Sequence, residues 1–138
     1  MTGKNAVTTF LNVDLDIRGE ASDIDEILLA MDGILRPAES AVIVLHRMEQ
    51  FTTVELGESF PSLEETVMGW VDLIDSLPPP IRNIWNALEF RKFNIGIQAE
   101  CEPRYAEFAL PAKTVASLAA ANLEIVFTVY APSTDAGP

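Results

Sequence analysis

The sequence predicts an α+β domain: a single mixed or antiparallel sheet with helices mainly on one face. Three observations lead there. Segments of period-two alternation occur in both halves of the chain. They are separated by stretches with helical spacing, one of which carries both a capping pattern and a proline stop. At 138 residues and 49% hydrophobic, the chain suits one domain around one core, and global disorder is not expected.

Taken in order, TTFLNVDLDIR (8–18) alternates as a half-buried strand. Leu11, Val13, Leu15 and Ile17 share one face, and Asn12, Asp14, Asp16 and Arg18 the other. ASDIDEILLAMDG follows as a helix, with Ser22 as its cap, acids in its first turn and Gly33 at its end; Ile24, Ile27, Leu28 and Met31 form the buried stripe. RPAES reads as a loop. Residues 41–48 and 51–56 read as strands of a hairpin around Met48–Gln50.

Residues 62–77 carry the clearest helix. Ser62 and Glu65 match a capping box, and Leu63, Val67, Trp70, Val71, Ile74 and Leu77 recur on one side. Pro78-Pro79-Pro80 stops it and starts a second, short helix bearing Ile81, Ile84, Trp85 and Leu88. Both tryptophans are expected as core anchors. Residues 91–99 read as a strand, Tyr105–Leu110 as another, and Pro111–Ala121 as a helix with Val115 and Leu118 inward and Asn122 closing it. Residues 124–130 form the last strand. The strand–helix–strand pieces at both ends favour a ferredoxin-like βαβ arrangement with one open polar face. Residues 1–138 form one domain, with 1–7 and 131–138 as flexible tails.

The net charge of −12 is uneven. Residues 1–80 hold 15 acids and 4 bases, while residues 81–138 hold 6 and 5. Such a field repels nucleic acid and anionic lipid and attracts basic partners. EFRKFNIGIQAE (89–100) superficially suggests an RNA-reading strand, but Phe93 is followed by Ile95 and Ile97 on its own face, so that face belongs to the core. Neither nucleic acid nor membrane is therefore an expected partner. No apolar run approaches the roughly 18 residues of a span. No leader peptide is read, and the single cysteine, Cys101, permits no internal disulfide, so a cytoplasmic location is expected.

No phosphate loop, dinucleotide fingerprint, zinc spacing or nucleophile elbow is present. Neither a metal, a cofactor nor a catalytic residue is assigned. His46 stands alone, and Cys101 lies between Glu100 and Glu102, which disfavours a thiolate. Gly96 in a strand interior points to a bulge, or to a large side chain lying over it.

Over its whole length, in size, acidity and βαβ pattern, the chain resembles uncharacterised small acidic bacterial α+β domains, including the immunity-type proteins that neutralise toxins. The resemblance implies a non-catalytic, protein-binding role and carries no motif, so it transfers no residue. The leading expectation is an acidic surface for a basic protein partner, built from Asp14, Asp16, Glu64, Glu65, Asp72 and Asp75. The alternative is a small-molecule binder or small enzyme, with a pocket on the polar sheet face around Asp14, Asp16, Asn94, Gln98 and His46. A homodimer formed by packing two open sheet faces is the third.

Overall fold

The computed structural model describes residues 7–34 and 41–132. Of the tails expected at 1–7 and 131–138, residues 1–6 and 133–138 lie outside the described residues, as does the RPAES loop. The elements are β1 (Thr9–Arg18), α1 (Ala21–Ile34), β2 (Val42–Met48), β3 (Phe51–Leu56), α2 (Leu63–Asp75), α3 (Pro79–Ala87), β4 (Phe90–Gln98), α4 (Ala112–Ala120) and β5 (Glu124–Tyr130).

The fold is α+β: among the described residues, four helices accompany one open, mixed, five-stranded sheet of order β2-β3-β1-β4-β5. All neighbouring pairs are antiparallel except β4·β5. β1 and β2 therefore run parallel with β3 between them, and β3 and β4 run parallel with β1 between them. These are two interlocked split β-α-β units, extended at one edge by α4 and β5.

Alternation divides the sheet into two faces. Val13, Leu15, Ile17, Val54, Phe93 and Ile95 are fully buried on the face that meets the helices. The Trp70 ring lies 5.9 Å from Phe93, and its indole N–H donates to the Val13 carbonyl at 3.0 Å. Trp85 is equally buried and donates to the Ala121 carbonyl at 2.8 Å. Both rings thus bury their apolar bodies without leaving a polar atom unsatisfied.

The helix ends follow their local chemistry. The Ser62 hydroxyl accepts from the Glu65 amide at 3.1 Å and donates to the Glu65 carboxylate at 2.9 Å. Asn122 closes α4 with φ of 59°: its amide reaches Ala119, and that of Leu123 reaches Leu118, the paired bonds of a left-handed C-terminal cap. Gly33 does not end α1, which includes it and Ile34; Ser22 sits inside the first turn, since the helix opens on the Ile24-to-Glu20 bond.

Three further expectations are corrected. Tyr105–Leu110 forms no strand; it is a linker whose Phe108 and Leu110 touch the core while Tyr105 is exposed, so the sheet has five strands among the described residues. Val115 is 50% exposed, because α4 presents Thr114 and Leu118 inward and Val115 lies a further 100° around the helix. Leu11 does not share the face of Val13. The β1·β4 register shifts between Phe10 and Asn12, and the extra residue of this bulge re-aims Leu11 to the open side, where it is 51% exposed.

Candidate functional site

The second face of the sheet carries the candidate site. No described helix covers it, and its residues are half-buried: Asn12, Asp14, Asp16 and Arg18 from β1, Phe51, Thr53 and Glu55 from β3, and Lys92, Asn94, Gly96 and Gln98 from β4. Pairing explains the grouping. Asp14 faces Asn94, and Asp16 lies between Thr53 and Lys92.

Three carboxylates stand side by side there. Asp16 accepts from the Thr53 hydroxyl at 2.7 Å, and Glu55 from the Asn12 side-chain amide at 3.4 Å. Among the described residues, no hydrogen bond or salt bridge reaches the Asp14 carboxylate. Burial first, then the Glu55 charge, then the Asp16 charge, push the Asp14 carboxyl from 3.8 up to about 6. The nearby cations are engaged elsewhere. Lys92 lies 4.3 Å from the Phe90 ring centroid, and Arg18 lies 5.5 Å from that of Phe51 and 5.8 Å from that of Phe90 while reaching Glu89 at 3.7 Å. The face therefore has a cationic, aromatic end and an acidic centre. Phe90, the first residue of β4, belongs to this end.

Beside the carboxylates is a hollow of about 150 Å³, lined by Leu11, Asn12, Asp14, Asn94, Gly96 and Tyr130. Gly96 opens it and Leu11 roofs it, which joins the bulge and the covering side chain expected at that glycine. Thr128 on β5 donates to the Asn94 carbonyl oxygen at 2.7 Å and orients that amide.

The expected pocket residues do not all assemble. Asp14 and Asn94 line the hollow. Gln98 is spent at the strand ends, where its amide donates to the carbonyls of Ala99, Tyr130 and Ala131. His46 pairs with Thr53 on edge strand β2, with β3 between it and β1, and its ring stands 6.3 Å from that of Phe51.

The acidic set divides as well. Asp14 and Asp16 are on the open sheet face, whereas Glu64, Glu65, Asp72 and Asp75 are on α2 in the helical layer behind it. Glu65 serves the helix cap, and Asp75 pairs with Arg82 at 3.4 Å. Asp72 borders a second hollow of about 220 Å³ with Leu56, Phe60 and Gly69.

Glu55 was missed from sequence. Alternation within FTTVEL puts it opposite Val54, but only the pairing of β3 with β1 sets it beside Asp14.

Among the described residues, no group of three or more His, Cys, Asp or Glu could hold a metal ion. No described helix is long and apolar enough to cross a membrane. Cys101 is exposed in the linker. No protein-family model, no curated protein and no solved structure matches the chain.

Proposed function

We propose that this protein is a non-catalytic binding domain that receives a basic protein partner on its open sheet face, in the manner of an immunity-type protein. One observation carries the reading. Asp14, Asp16 and Glu55 are half-buried neighbours with no cation within salt-bridge distance among the described residues, while Arg18 and Lys92 are committed to aromatic rings. Lysine or arginine from a partner would relieve that repulsion, and the −12 field would speed its approach. The four acids of α2 contribute to the field rather than to the contact.

The small-molecule alternative draws support from the hollow beside Asp14. Its volume of about 150 Å³ lies below the range of roughly 300–1,000 Å³ typical of ligand pockets. Size therefore favours a protein surface in which a single side chain enters the hollow.

The test is affinity capture from lysate of the source organism, at low and high salt, on the wild-type chain and two variants. A basic protein held by wild type and by D72K/D75K, released by salt and lost with D16K/E55K, is the expected result. Equal retention by D16K/E55K, or no basic protein retained at all, overturns the reading.

A further inference from the structure

We infer that strand β5 is an interface through which a second copy of the chain extends the sheet, by antiparallel β5·β5′ pairing centred on Phe127. This goes beyond the proposed function and does not depend on it.

The exposed edge is apolar on both sides. Ile125, Phe127 and Val129 are register partners of the core residues Phe93, Ile95 and Ile97, so they point to the helical side. They are nevertheless 36%, 57% and 59% exposed, because the helices stop short of β5. Val126 and Tyr130 are exposed on the other side. An apolar strand whose outer edge is unpaired among the described residues is a template for another strand.

Backbone polarity decides the register. The Tyr130 carbonyl accepts from the Ala99 amide on the β4 side at 2.8 Å. Alternate residues of a strand present N–H and C=O to opposite edges, so those of Ile125, Phe127 and Val129 face outward. Antiparallel pairing about Phe127 sets Phe127 against Phe127′ and Ile125 against Val129′. Each of these outward residues then exchanges both bonds with its partner, about six bonds in all. Val126 falls opposite Thr128′. Glu124, the only charged residue of the strand, falls opposite Tyr130′, so no like charges meet.

Charge also selects this edge for self-association. Two copies of net charge −12 repel one another over most of their surfaces. The excess lies in residues 1–80, which include β1, β2 and β3, whereas β4 and β5 belong to the half with 6 acids and 5 bases. The opposite edge, β2, is also apolar, but its ladder is broken by a register shift between Val44 and His46. It further carries His46 and Arg47, the latter bound to Asp25 at 2.9 Å. A bulge and a charge are the usual obstacles to edge pairing.

Sedimentation and amide hydrogen exchange test this on the full chain. Wild type is expected to sediment at twice the mass of the chain, with the amides of Ile125, Phe127 and Val129 protected. F127D, which brings two carboxylates together at the two-fold axis, is expected to halve the mass and to lose that protection, with unchanged circular dichroism. V44D on β2 is expected to leave the dimer intact. If F127D fails to fold, V129K on the most exposed of the three positions replaces it. A wild-type monomer at millimolar concentration overturns the inference, as does a dimer that survives the β5 substitution or one dissolved by V44D.

Discussion

The two faces of this sheet are built from the same strands and obey different physics. On the helical face, Val13, Leu15, Ile17, Phe93 and Ile95 are fully buried against Trp70 and its neighbours, and the Trp70 indole N–H brought inside is bonded to the Val13 carbonyl. On the open face, Asp14, Asp16 and Glu55 are half-buried without a cation, and Asp14 yields by keeping its proton up to about pH 6. Stability resides on the first face, and the second retains unrelieved repulsion. An optimised surface would not keep such repulsion, and a binding surface can use it.

Substitutions on each face measure the difference. Trp70→Ala removes a fully buried ring and its bond to Val13, and should cost about 3–5 kcal/mol by urea denaturation. A loss under about 1 kcal/mol would mean that the helical face is not the principal core.

On the open face the sign reverses. The Asp14 pKa is higher folded than unfolded, so between about pH 4 and pH 6 the folded state holds more protons. Its contribution to stability therefore declines as pH rises through that window and levels off above about 6. Asp14→Asn should abolish this component and stabilise the protein at pH 7 by on the order of 1 kcal/mol, a value discounted because the carboxylate is half exposed. Urea midpoints of both proteins at pH 4.5 and pH 7 provide the check. A variant no more stable than wild type at pH 7 would mean that the carboxylates repel one another too weakly to matter.

The smallest effect is expected at Gly96. A Cβ built there would lie 3.7 Å from the Asn12 carbonyl and from Leu11, which is ordinary contact. Gly96→Ala should therefore be tolerated and raise stability by about 0.4–1 kcal/mol through the unfolded state. Destabilisation would show that Leu11 does not sit where the bulge places it.

Much of this architecture was legible in the residues, and the legible parts share a cause. Ser62 with Glu65, the proline run after Leu77, Asn122 and the apolar spacing of α2 act over three or four residues, a range that sequence reports directly. The alternation of β1 likewise separates Val13, Leu15 and Ile17 from Asn12, Asp14 and Asp16 without knowledge of any neighbour. The candidate site was half legible: Asp14, Asp16 and Asn94 were identifiable as polar-face residues. Glu55 was not, because its place beside Asp14 depends on β3 pairing with β1 across some 40 residues of chain. The same dependence misassigned Leu11, since a bulge is a property of two strands and not of one.

Local chemistry thus determined the four helices, the five strands, with a sixth at Tyr105–Leu110 that does not form, and the face on which most side chains fall. Tertiary structure alone decided the strand order, which joined Glu55 to Asp14, isolated His46 on an edge and divided the acids of β1 from those of α2. It also decided how far the helical layer reaches. AVIVL and IVFTVY read alike as apolar strands, yet both form edges of the sheet, and β5 is left bare on both sides because no described helix extends over it. Hydrophobicity specifies that a strand prefers cover, and only packing specifies whether its own chain provides it.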